Sequence, residues 1–424
     1  MAGIIGNAIE WYDFALYGHF SVIIGHTFFP KEEPGLATLA ALAVFSVSFF
    51  MRPLGALIFS HIGDRYGRKR ALSLSMLGMA IPTAGIGLLP SYQDIGLSAT
   101  LILIGLRLFQ GVSLGGEMGG AVTYAKEHTP NKHIGLASSL IQASTCLGLL
   151  AGTSLSSLIS FLLTDSQFQS WGWRGPFLIG LIAAWIGLKI RKSMPESALY
   201  ETAKAENRLL DNPVRIIVQQ HLGKVMTGLI ILVPMTFCFF FAFVFFNTFM
   251  MSNLEFPASR ALMITSAGIL VSLITTVLSG WLADRVGYKR ILLIGALLLL
   301  AGALLITRLL SGGLGEAFIL PGLLLFGFLI GIYTSSAFAA VAGLFATEIR
   351  YSGISFSVNI ASPVFGSTAP LLAAWLVREY GVESGFYMIG YYLMALSFLA
   401  IMATFWLDHG AFLHWGRDLP DQAD

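Results

Sequence analysis

Residues 64–70 read DRYGRKR, and residues 284–290 read DRVGYKR. Five of the seven positions agree: Asp64 with Asp284, Arg65 with Arg285, Gly67 with Gly287, Lys69 with Lys289 and Arg70 with Arg290. The two copies lie about half of the 424-residue chain apart. A fainter echo sets Glu127 and Gly135 against Glu348 and Gly353. Such a duplication predicts two equivalent halves. Arginine and lysine crowded into a short loop have a plain explanation as a topology signal, but that leaves the aspartate and the glycine unexplained. The aspartates are expected to pair with helix-terminal groups, and the basic side chains to hold neighbouring helix ends. Asp64, Arg65, Gly67, Arg68, Asp284, Arg285 and Gly287 are therefore assigned to a conformational gate.

On either side of each copy the chain is apolar. It is 56% hydrophobic and 11% charged, against about 25% charged for a soluble domain. A bilayer core of about 30 Å takes roughly 20 apolar residues of helix, and lipid leaves no other open backbone satisfied. The apolar runs are long and do not alternate, so helices are expected at 3–29, 37–62, 71–90, 97–127, 134–164, 174–192, 223–251, 257–283, 290–309, 316–347, 354–377 and 384–407. The fold class expected is an all-α membrane protein of twelve transmembrane helices in two six-helix bundles. The halves are 1–190 and 223–408, with a cytoplasmic linker at 191–222 and a short cytoplasmic tail at 409–424. Loops after even-numbered helices hold seventeen lysines and arginines, counting Lys189, Arg191, Lys192 and Arg208 after the sixth helix, against five elsewhere: Lys31, Arg174, Arg260, Arg308 and Arg378. Basic loops stay cytoplasmic, which predicts both termini inside.

The net charge of +2 gives no reason to expect a nucleic-acid partner, and the first apolar run carries Glu10 and Asp13, which no signal peptide would. Cys146 and Cys238 both lie in apolar runs and are read as reduced thiols. The eight histidines lack metal-ligand spacing, so no metal is expected, and no phosphate-cradling loop appears. GVSLG at 111–115 fits a hydrolase nucleophile elbow, which needs a strand-to-helix turn. Inside an apolar helix, Gly111, Gly115 and Gly116 read instead as points of close helix approach. No enzyme is expected.

Charge inside a membrane span is expensive and marks function. The first half places Glu10, Asp13, Arg52, Arg107 and Glu117 inside spans; the second places none at comparable depth. Glu10 and Asp13 are three apart and share a helix face with Asn7 and Tyr17. Two such acids near the midplane suit a group that loads a proton on one side and releases it on the other, though either could be a fixed partner for an arginine. Arg107 and Glu117 are ten apart, roughly 15 Å along a helix, so each needs a partner on another helix, and Asp13 is the expected one for Arg107. Arg52, before Pro53, would satisfy a freed carbonyl or bind a substrate carboxylate through its guanidinium fork. Trp11, Tyr124 and Tyr12 would suit a quaternary ammonium by cation–π attraction or simply pack. Asn247, Tyr333 and Asn359 are the polar pocket candidates of the second half, and the phenylalanines of 237–249 should face lipid or neighbouring helices.

The sequence resembles the metabolite:proton symporters of the major facilitator superfamily, which include proline/betaine, α-ketoglutarate, citrate and shikimate carriers. The residues that carry the likeness are GNAIEWYDFALYG at 6–18, RPLG at 52–55, GDRYGRKR at 63–70, RLFQGVSLGGE at 107–117 and WGWRGPF at 171–177. Ser60, Lys132, His133 and Met118 depart from the family pattern. Osmosensing relatives carry a C-terminal coiled coil, whereas the segment after 408 shows no heptads. The resemblance implies that Arg107 takes part in proton coupling. The expected function is proton-coupled import of a small polar organic metabolite, a carboxylate or a zwitterion. Protons are the coupling ion, no cofactor is needed, and the protein acts as a monomer among lipids of the bacterial inner membrane. Asp13, Glu10, Arg107 and Glu117 are assigned to coupling, and Arg52, Arg107, Tyr17, Trp11, Tyr124, Asn247, Tyr333 and Asn359 to substrate. Proton-driven efflux of a drug or siderophore shares the same fold and charges. A sensor without flux would need a signalling domain.

Overall fold

The computed structural model describes residues 2–30, 41, 43–44, 47–193, 195–206 and 213–407. The start of the second expected span at 37–40, Lys31, Arg208 and the tail at 409–424 lie outside them. The described chain is helical throughout, with no strand. It divides into two compact units, Met1–Tyr124 with Ser144–Val214, and Ala125–Ala143 with Arg215–Asp424.

The first unit is built from α1 (Ala2–His19), α2 (Ser21–Phe28), α3 (Arg52–Tyr66), α4 (Arg68–Leu88), α5 (Leu97–His128), α6 (Ile134–Leu162, from Ser144 onward), α7 (Arg174–Ser193) and the linker helix α8 (Ala198–Ala205). The span expected at 3–29 is two consecutive segments, with the hydrogen-bond ladder carried across by Phe20 N to Leu16 O and Ile24 N to Phe20 O. Pro53 lacks an N–H and sits in the first turn of α3, so the ladder of the second span is interrupted at Met51 and Arg52 stands at the break. α7 packs against α4 and α1. Gly55 and Gly115 bring α3 and α5 together: a Cβ at Gly55 would strike the Val112 carbonyl, and one at Gly115 the Arg52 carbonyl. Without hydrophobic attraction between helices in lipid, such small-residue approaches carry the association.

The second unit contains α9 (Leu222–Phe240), α10 (Phe246–Ser252), α11 (Ala258–Val286), α12 (Tyr288–Leu310), α13 (Ile319–Gly343), α14 (Arg350–Ala361), α15 (Ala369–Tyr380) and α16 (Val382–Phe405). A π-type turn at Phe241–Phe245 joins α9 to α10, and another at Ser362–Gly366 precedes α15. Gly327 and Gly331 meet the carbonyls of Gly268 and Ser272 where α13 crosses α11, repeating the device used in the first unit. The phenylalanines of this stretch, from Phe237 to Phe249, are all buried, so they pack on protein and not on lipid. Phe386 of α16 packs its ring edge-on or tilted against Phe241, Phe245 and Phe249.

Ten described helices are long and apolar enough to cross a membrane. Two of the twelve expected spans are not among them. Asn7, Glu10, Asp13 and His19 make α1 too polar, and the other begins outside the described residues. Large apolar side chains such as Ile81, Leu101, Leu278 and Leu371 stand exposed along helix faces, as lipid contact requires.

Candidate functional site

Both copies of the duplicated loop turn at a glycine with positive φ, Gly67 at 107° and Gly287 at 100°. That conformation favours a residue without Cβ, which explains why the glycine recurs in register. In the second copy Asp284 accepts hydrogen bonds from the backbone amides of Gly135 and Leu136, at 2.6 and 3.0 Å, in the opening turn of α6. Unpaired amides and the helix dipole both favour an anion there. Arg285 lies over the Trp281 ring. In the first copy the acid comes from the linker. Glu196 accepts from the amides of Arg68 and Lys69 at the start of α4. Arg68 pairs with Asp64 at 3.5 Å, donates to Gly63 O and stacks over Tyr200. Burial pushes the Tyr200 phenol up, so it stays a neutral donor to the Arg65 carbonyl.

The intramembrane charges of the first unit form three buried carboxylate–arginine pairs. Asp13 of α1 meets Arg107 of α5 at 3.3 Å. Gln110, one turn along from Arg107, donates to Asp13 Oδ2, and Thr83 of α4 donates to Oδ1. Arg107 also donates to Gln110 and Ser48, and its guanidinium lies 4.0 Å from the centre of the Tyr17 ring. Glu10, one turn before Asp13, pairs with Arg52 of α3. The expected pair of neighbouring acids is thus divided between two arginines on two helices. Arg52 sits over Phe49. The third pair joins Glu117 of α5 to Arg191 of α7, with both carboxylate oxygens engaged and Ser75 donating to Oε2.

Arg191 corrects the sequence reading. It was counted among cytoplasmic loop bases, but it lies in the last turn of α7, is 1% exposed, and reaches inward to Glu117 and the Leu72 carbonyl. An acid at membrane depth needs its counter-charge, and that need outweighs the pull of a helix end toward water. Arg68 and Arg350 are buried likewise, Arg350 paired with Glu127 at 3.2 Å.

Glu10, Trp11, Asp13, Phe14, Ser48, Phe49, Arg52, Arg107 and Leu114 enclose a cavity of about 10 Å³. One water takes at least roughly that much, so this enclosure holds charges and a water at most, not a metabolite. The three aromatics read as a cage or as packing groups lie apart. Tyr12 donates to the Pro176 carbonyl and Tyr124 to that of Pro195, at opposite ends of α7, and only Trp11 lines the cavity. Asn7 donates to Ser144 and Thr145 of α6. Tyr17 donates to the Ala41 carbonyl. In the second unit Tyr333, expected in a pocket, is fully buried and donates to Ile231 O, tying α13 to α9. Asn247 accepts from Thr265, and Asn359 donates to Ser355 O.

Sequence reasoning missed Gln110, Thr83, Ser48 and Arg191. Gln110 had a signal, since a glutamine three residues from Arg107 in an apolar helix shares its face.

A family model of the Major Facilitator Superfamily matches residues 14–359 and 229–411. The chain is 37% identical over 412 residues to the inner membrane metabolite transport protein YhjE of Escherichia coli strain K12, covering 95% of this chain and 92% of that one. It is 30% identical over 419 residues to the glycine betaine/proline/ectoine/pipecolic acid transporter OusA of Dickeya dadantii, covering 97% and 83%. Among solved structures it resembles the proton:xylose symporter XylE of E. coli bound to 6-bromo-6-deoxy-D-glucose, with a TM-score of 0.74 and 16% identity over 96% of this chain and 94% of that one. At that identity the likeness shows the fold.

Proposed function

The chain belongs to the Major Facilitator Superfamily, and from that premise we propose that it imports a small organic metabolite bearing a carboxylate, together with protons, by alternating access. It is a multi-pass inner-membrane transport protein, not an enzyme. The carrying observation is the set of buried pairs on α1, Glu10 with Arg52 and Asp13 with Arg107. Charge held out of water at such cost is kept for work, and a carboxylate beside an arginine can change protonation as access alternates. Once the site opens in the transport cycle, Arg52 and Arg107 would supply the positive charge that a substrate carboxylate seeks. The Dickeya relative is named for glycine betaine, proline, ectoine and pipecolic acid, each of which carries that group. Twelve helices in two halves, 1–190 and 223–408, would rock about the linker 191–222 with both termini cytoplasmic. The loops at 64–70 and 284–290 would hold one conformation until the substrate and proton are loaded. Glu117, tied on both oxygens, serves as the fixed partner of Arg191.

Uptake into proteoliposomes tests this with labelled glycine betaine, proline, 2-oxoglutarate, citrate and shikimate under an inward proton gradient. At least one of them is expected to accumulate several-fold, and the accumulation should collapse with a protonophore. Accumulation that survives the collapse would remove obligatory proton coupling, and gradient-driven expulsion would make the protein an antiporter.

A further inference from the structure

We infer that Glu10, at its Oε2 oxygen, is the group that takes up the transported proton, while Asp13 stays ionised as the fixed counter-ion of Arg107; this rests on the proton-coupled reading above. The two acids lie one turn apart on α1 and are both buried, yet their surroundings differ. Asp13 accepts at both oxygens, from Thr83 at Oδ1 and from Arg107 and Gln110 at Oδ2. A proton on Oδ2 would set an O–H against Arg107 and Gln110, and one on Oδ1 would require Thr83 to turn its single proton to the Met79 carbonyl. Glu10 is held at one oxygen only, by Arg52 at Oε1. Its Oε2 is buried and has no hydrogen-bond partner among the described residues, and the side chain borders the small cavity shared with Ser48, Arg52 and Arg107.

An anionic oxygen shut from water without a donor is costly. A proton binding there converts the carboxylate to a carboxylic acid, removes the charge from that oxygen and leaves the Arg52 contact at Oε1 in place. Its departure to the other side restores the carboxylate. The charged groups around Glu10 are Arg52 from α3, Asp13 on α1, and Arg107 and Glu117 from α5. Arg107 is balanced by Asp13, and Glu117 by Arg191. A proton on Glu10 leaves both of those pairs balanced and changes the charge only of its own pair with Arg52, whose contact at Oε1 it keeps. The cavity has room for about one water, enough to hand a proton over.

Infrared difference spectra, acid minus neutral, of the full chain in lipid nanodiscs test this without any substrate. Wild-type protein is expected to show the C=O stretch of a newly protonated buried carboxyl. The band should be absent from Glu10→Gln and present in Asp13→Asn. Arg52→Lys, which alters the partner of Glu10, should displace the band and keeps the test open if Glu10→Gln does not fold. A band lost from Asp13→Asn and kept in Glu10→Gln, a band unmoved by Arg52→Lys, or no carboxyl band in the wild type would each overturn the assignment. Proton-driven uptake with a band belonging to Asp13 overturns this inference alone. Absence of proton-driven uptake overturns the reading above, whatever the spectra show.

Discussion

Arg107→Ala is expected to abolish gradient-driven accumulation and to lower the thermal midpoint of the purified protein sharply. The substitution strands Asp13, which lies buried between α4 and α5 with Thr83 and Gln110 as its remaining partners. Removing one member of a buried pair costs roughly 3–5 kcal/mol, because the other charge stays out of water uncompensated. Adding Asp13→Asn removes the stranded charge and keeps an acceptor for Thr83, while Gln110, its own oxygen released by the loss of Arg107, must turn its amide to accept from the new nitrogen. The double variant should therefore regain most of the stability and none of the accumulation. Thermal unfolding and proteoliposome uptake, measured on the same preparations, separate the two effects. Wild-type accumulation by Arg107→Ala would take that arginine out of the mechanism.

Arg191→Met should be about as destabilising, again roughly 3–5 kcal/mol, although it lies far from α1 in sequence. It leaves Glu117 with Ser75 alone and frees the Leu72 carbonyl of a donor. The pair Arg191→Met with Glu117→Gln should recover most of the lost stability, since replacing a whole buried ion pair by groups of similar volume is often close to neutral. Thermal midpoints of the two single variants and the double variant form the cycle that reads the coupling. A single Arg191→Met variant as stable as wild type would show that Glu117 finds other support.

These two pairs also mark how far the sequence could be read. The Asp13–Arg107 contact was legible, because two charges at comparable depth in one half have few other partners. The glycine of the repeated loop was legible as well, since its recurrence across the halves follows from the positive φ shared by Gly67 and Gly287. The Arg191–Glu117 contact was not. Arg191 follows an apolar run and sits between Lys189 and Lys192, which looks like an ordinary cytoplasmic helix end, and nothing local links it to a residue 74 positions away. Glu10 looked like one member of an acidic pair, because spacing along a helix reports neighbours on that helix and not the arginine supplied by α3. Tyr333 read as a pocket candidate and the phenylalanines of 237–249 as facing either lipid or neighbouring helices, since an apolar helix without clear amphipathicity does not announce which side meets protein. The span expected at 3–29 is present as α1 and α2, and the charges that give α1 a function lower its hydropathy below that of the ten most apolar helices.

Side-by-side measurement of gradient-driven accumulation and solute exchange in Glu10→Gln proteoliposomes tests most directly the claim that a buried acid on α1 links proton to solute. Accumulation should fall to the level seen without a gradient while exchange across the membrane remains measurable, because the variant keeps an oxygen for Arg52 but has no proton to carry. Accumulation driven by the gradient to the wild-type level in that variant would contradict the account.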